Sequence, residues 1–175
     1  MENSRLLDFY LGIGTDHRGR YIQDIWNFDL ETLEKEHDYI QWLFPLKEGS
    51  KYNKNAPLLT DAIIETFKSN MIIKGYLLES FRIMLRFYGF ELVSTMDGTI
   101  VAKSSDFKER KQVWLSRCNH NYLRITRILK RLTILGLSHF SIKFYLVLLE
   151  IYSSKDGRKI NKKALKYWTD ALIAS

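Results

Sequence analysis

Cysteine is almost missing from this chain of 175 residues: Cys118 stands alone, so no disulfide can close within it, and the sequence reads as one for a reducing compartment. Proline occurs only at Pro45 and Pro57, which leaves few enforced helix ends. Long apolar runs are lacking too. The longest uncharged stretch, Leu132 to Ile142, is about half of the roughly 20 residues a helix needs to cross a bilayer, so any membrane contact is expected to be peripheral. The opening MENSRLLDFY has acidic residues and no small-residue cleavage site, and is read as no secretory leader. No two histidines stand three or four apart, which with a lone cysteine leaves a zinc site without support, and no metal or cofactor is expected. Gly12-Ile13-Gly14 lacks both the preceding strand and the spacing of a phosphate loop.

What is present describes a folded, basic chain. Hydrophobic residues make up 46% and aromatics 14%, enough for a core without metal or disulfide. The 27 basic and 20 acidic residues give a net charge of +7, which favours polyanions or anionic surfaces as partners but serves solubility equally well. The length suits one domain, 1–175.

The spacing of apolar residues predicts a mainly α fold: a single multi-helix domain around a buried central helix, with one short β-hairpin near residues 90–103. A short amphipathic helix is expected over Ser4 to Leu11, a turn-rich connection over GIGTDHRGR, and another helical turn or two over Tyr21 to Trp26. The central helix starts at an Asp29 cap and runs unbroken to Pro45, with Leu30, Leu33, His37, Ile40 and Phe44 on one side; His37 is read as a core histidine. KEGSKYNKNAP is a surface loop. Thr60 caps a helix through Phe67, another spans Ile72 to Phe87, and Gly89 ends it. Asp97-Gly98 between two β-branched runs gives the hairpin. A long helix should then run from Asp106, boxed by Glu109, to about Leu135 and stop at Gly136. A wholly buried helix from Ser138 and a last amphipathic one, capped by Asn161 with Leu165, Trp168, Leu172 and Ile173 inward, complete the chain.

The long helix carries the most chemistry. At 100° per residue Trp114, Cys118, Tyr122, Ile125, Leu129 and Leu132 share a buried arc, and Arg117, His120, Arg124, Arg127 and Arg131 form a basic stripe beside it. Such a stripe can grip carboxylate or phosphate, or can pair internally with the acidic arc Glu31, Glu34 and Asp38 on the central helix. Positive neighbours disfavour protonation of His120. Catalysis finds no footing. Cys118, Asn119 and His120 project about 100° apart on a helix and cannot form a triad, and Glu34 with Asp38 share a solvated face. His17 and His139 sit apart.

Three stretches carry a resemblance. LEKEHDYIQWLFP, followed by Asn53 and by APLLT at Ala56 to Thr60, then SFRIMLRFYGFEL and CNHNYLRITRILKRL, resemble in order the conserved region of the opioid growth factor receptor family. Tyr122 departs from the pattern, which usually repeats Asn there. The resemblance implies a non-catalytic domain that binds a peptide, met-enkephalin, with membrane or nuclear-envelope association. A small peptide needs an aromatic pocket and a counter-charge for its carboxylate, for which Tyr39, Trp42, His120, Arg124 and Arg127 are the candidates. The expected location is intracellular and cytoplasmic, with nuclear or peripheral membrane association by resemblance. Two other classes stay open: nucleic-acid binding through the basic helix, disfavoured because its aromatics lie among core positions, and an enzyme built on His120 with an acid from elsewhere in the fold.

Overall fold

The computed structural model describes residues 2–47, 49 and 54–174, with side chains from Arg5 onward. Most of the loop KEGSKYNKNAP, including Asn53, lies outside the described residues. The chain divides into two units, Met1–Ser80 and Phe81–Ser175. Among the described residues it is mainly helical, with one antiparallel hairpin, as the spacing of its apolar residues foretold.

The first unit holds α1 (Glu2–Tyr10), α2 (Ile22–Trp26), α3 (Leu30–Lys35), α4 (Tyr39–Leu43), α5 (Asp61–Ser69) and the first part of α6 (Met71–Tyr88). Asp29 and Thr60 cap as expected, accepting from the backbone of Thr32 at 2.7 Å and Ile63 at 3.3 Å. Each such cap is worth about 1 kcal/mol. The apolar faces meet through edge-to-face rings: Tyr10 on Phe67 at 4.6 Å, Phe9 on Trp42 at 5.2 Å and Trp26 on Tyr76 at 5.2 Å. The Tyr10 hydroxyl donates to the Leu43 carbonyl, and burial raises its pKa.

The central helix is not continuous. Glu36, His37 and Asp38 separate α3 from α4, with extended backbone at Glu36 (ψ 137°). Asp38 is held by arginines of the 12–20 connection, and that tertiary pairing overrides local helix propensity. His37 is therefore exposed rather than a core histidine.

The second unit takes the remainder of α6, then β1 (Phe90–Thr95), β2 (Gly98–Lys103), α7 (Phe107–Trp114), α8 (Asn121–Ile134), α9 (Ser138–Tyr152), a 3-10 turn (Lys155–Lys159) and α10 (Lys162–Ala171). Gly89 ends α6 and Gly136 ends α8, both at positive φ. The strands pair from Phe90 with Lys103 to Thr95 with Gly98, which moves the turn one residue back from Asp97-Gly98. Met96 and Asp97 make the turn with negative φ, and Gly98 takes φ 111° behind it. Phe81, Tyr88, Phe90 and Trp114 gather around Phe144 of α9 or one another, and the Trp114 indole donates to the Tyr88 carbonyl at 2.9 Å. Trp168 of α10 meets Tyr122 of α8 edge-on at 5.7 Å and donates to its carbonyl at 3.1 Å.

Several helical expectations are corrected here. The predicted helix from Asp106 to Leu135 breaks over Leu115–His120. Asn119 donates through its amide to the Val113 carbonyl at 2.9 Å and accepts from the Asn121 backbone at 2.9 Å, so a side chain replaces the helix's own bonds. Cys118 has φ 57° and is exposed, not on a buried arc. Asp106 makes no side-chain cap and accepts instead from Ser104. The α9 helix is not buried all round, since Ile142 and Leu146 stand about half exposed; Ile173 lies outside α10 and is exposed. The Asn161 cap is present, accepting from Ala164 at 2.7 Å.

Candidate ligand-binding sites

The sequence candidates fall into two groups, one in each unit. Tyr39 and Trp42 share α4 and are buried. The Tyr39 hydroxyl donates to the Leu33 carbonyl at 2.9 Å, and its ring meets Phe28 edge-on. The Trp42 indole N–H donates to His17 Nδ1 at 3.0 Å; its ring runs within 11° of parallel to the imidazole, and the Arg5 guanidinium lies over it at 5.4 Å. Both rings are thus enclosed. In the second unit His120 is exposed just ahead of α8, Arg124 lies one turn further on at 6% exposure with its fork 3.3 Å from Asn121 Oδ1, and Arg127 is half-buried. Arg131 is fully buried, and Arg117 lies on the link before α8, so the five do not form one stripe on one helix.

Around Trp42 the structure assembles a polar chain that sequence reading missed. His17 does not sit apart: because Nδ1 accepts from the indole, the ring's proton is assigned to Nε2, which faces Asp38 Oδ2 at 3.3 Å. Asp38 also receives Arg20 at 3.0 Å and Arg18 at 3.4 Å. Asp16 is fully buried and accepts from the backbone of Arg18 at 2.8 Å and Arg20 at 3.0 Å, and from the Arg20 guanidinium. Arg18 closes the network on Glu36 at 2.5 Å. Burial alone would raise the Asp38 carboxyl, but the bond and charge of Arg20, with Arg18 and His17 behind, hold it below its ordinary range. The cluster is a clamp: each buried charge has its partner, and what it fixes is the angle of Trp42. The available signal was the facing of two stretches, basic DHRGR and acidic EHD, each unremarkable alone. Among the described residues no group of three or more His, Cys, Asp or Glu side chains could hold a metal ion.

The second unit offers an open site instead. The end of α7, the link to α8 and the 3-10 turn bound a cleft of about 580 Å³ lined by Lys111, Gln112, Ser116, Arg117, Asp156 and Lys159, with Leu115. Lys111 reaches Asp156 at 2.5 Å. The Tyr122 hydroxyl sits behind both walls, 2.8 Å from the Ser116 carbonyl and 3.4 Å from that of Lys159. Burial, with the Cys118 thiol nearby, pushes its pKa up to about 12, so it stays a donor. The turn is pressed so closely on the end of α9 that a Cβ at Gly157 would land on the Tyr152 carbonyl.

The comparisons with known proteins point one way. The description of the matching family model is "Opioid growth factor receptor (OGFr) conserved region", and it covers residues 2–174. The chain is similar to the human opioid growth factor receptor, 39% identical over 160 residues, 88% of this chain and 23% of that protein. It is 40% identical over 157 residues to mouse opioid growth factor receptor-like protein 1, 86% of this chain and 32% of the relative. With the like protein of Xenopus tropicalis it shares 44% identity over 115 residues, 66% of this chain and 22% of the relative. The chain thus spans between 22% and 32% of the length of these relatives. No solved structure matches it.

Proposed function

This chain belongs to the opioid growth factor receptor family, and from that premise we propose that it is a non-catalytic binding domain whose ligand is a peptide of the opioid growth factor kind. The observation that carries the reading is the family match over residues 2–174, joined to relatives named as receptors at about 40% identity. The same match supports treating residues 1–175 as one conserved domain, expected to unfold in a single transition. A peptide's terminal carboxylate needs a cationic counterpart, and Arg124 and Arg127, with His120 as a neutral hydrogen-bond donor, at the opening of α8 are the residues proposed for it. Tyr39 and Trp42, being enclosed, enter as the aromatics that set the shape of α4 rather than as a stacking surface.

No helix of the described residues is long and apolar enough to cross a membrane. A cytoplasmic protein with peripheral attachment, at the membrane or the nucleus, is the location proposed.

Calorimetric titration of the chain with met-enkephalin tests the reading. Saturable heat at about micromolar concentration is expected, with Arg127→Ala weakening it roughly tenfold. Absence of heat into the high micromolar range overturns it. A second reading, contact with nucleic-acid phosphates, is favoured by the charge of the second unit, where 18 basic residues face 7 acidic ones. Retardation of duplex DNA that weakens across a salt series would support it.

A further inference from the structure

Arg117 and Lys159 are exposed cations that line one cleft from two different elements. In the first unit the inward carboxylates Asp16 and Asp38 are each met by guanidinium groups. In the cleft, the one carboxylate, Asp156, is already taken by Lys111. The guanidinium of Arg117 and the ammonium of Lys159 line the same cleft, from the link and from the 3-10 turn, and no side-chain partner is present for either among the described residues. Two like charges facing one hollow repel unless an anion lies between them.

We propose that this cleft is a binding site for a phosphate group, either free or carried as a monoester on a phosphorylated side chain. The charge left over after the Lys111–Asp156 pair is two positive units, which matches the near-dianion a phosphate monoester carries at neutral pH. Arg117 supplies a planar fork suited to two phosphate oxygens, and Lys159 a point charge for the third. The Ser116 hydroxyl oxygen accepts from the Asn119 amide at 3.0 Å, so its own hydrogen is left to donate toward the anion. The cleft's 580 Å³ takes an oxyanion with the residues flanking it.

The walls are held from behind. Tyr122 ties the carbonyls of Ser116 and Lys159 through one hydroxyl, and Asn119 pins the link at Val113 and Asn121. Gly157 lets the turn press against Tyr152, which sets where Lys159 emerges. Tyr122 is thus a positioning residue: it meets no anion itself but fixes the separation of the two cations that do.

The inference does not rest on peptide recognition, and its test is separate. Inorganic phosphate is titrated into the full chain at constant ionic strength and followed by backbone amide resonances. A saturable shift at Ser116, Arg117 and Lys159, with a Kd on the order of a millimolar, is expected. Arg117→Ala and Lys159→Ala, both exposed positions, should each weaken it about tenfold, while Lys35→Ala in the first unit leaves it unchanged. Tyr122→Phe should weaken it several-fold while the shift pattern is retained. A phosphoserine peptide titrated in parallel separates the two sources: tighter binding than phosphate assigns the site to a phosphorylated side chain, weaker binding to the free anion. Shifts spread evenly over the basic residues, no saturation, or full binding by the doubly substituted chain would each overturn the proposal.

Discussion

Residues 1–80 carry 9 basic and 13 acidic side chains, and residues 81–175 carry 18 and 7, so net charges of −4 and +11 meet in one chain. The first unit folds its charges onto one another. Arg18 and Arg20, arriving on a turn-rich connection, are consumed by Asp16, Glu36 and Asp38, and the result is a rigid bracket around Trp42. The second unit leaves Arg117 and Lys159 standing at a hollow. Local sequence explains little of this difference. What decides it is whether a segment of opposite sign is brought alongside.

Removing one member of the closed network should have the largest effect. Arg20→Ala strands the buried Asp16 carboxylate, and urea denaturation should show a loss of about 3 kcal/mol. Lys35→Ala, which deletes only the exposed pair with Glu31, should leave the denaturation midpoint unchanged. Equal losses for the two would erase the contrast. In the second unit the corresponding weak point is a close approach rather than a charge. Gly157→Ala should cost about 2 kcal/mol in the same measurement, because the added methyl group can be accommodated only by moving the 3-10 turn off Tyr152. Trp42→Phe deletes the indole donor to His17 and leaves part of the buried indole's volume unfilled, for which about 2 kcal/mol is expected.

Acid sharpens the comparison further. Asp38 titrates below its ordinary value of 3.8 in the folded chain, so the stability it contributes is complete above that value and is lost as pH falls through the lower, folded one. Denaturation midpoints followed from neutral pH to about pH 3 should therefore fall on the acid side, and Asp38→Asn should flatten that part of the decline. A variant that keeps the full acid dependence would place its origin elsewhere.

Residues with local work to do were legible in advance. Asp29, Thr60 and Asn161 cap their helices by bonding a backbone three residues on, and Gly89 and Gly136 stop theirs. Neither helix break is marked by a glycine or a proline. One depends on Asp38 meeting arginines some twenty residues earlier in the chain, and the other on Asn119 competing for the backbone it interrupts. The run Ser116 to Asn121 is rich in side chains that make such bonds, and weighing it against helical periodicity would have exposed the second break. Misplacing it also misplaced Arg117, which leaves the stripe of α8 and becomes a wall of the cleft. Tyr122 is the residue that joins the cleft's two walls.

The left-handed turn at Cys118 has a practical consequence. Because it tips the only sulfhydryl of the chain into solvent, next in sequence to Arg117, the unaltered protein already carries a unique attachment point for a maleimide dye or nitroxide. A reporter placed there needs no engineered cysteine and no removal of others, and its signal would register whatever enters or leaves beside it.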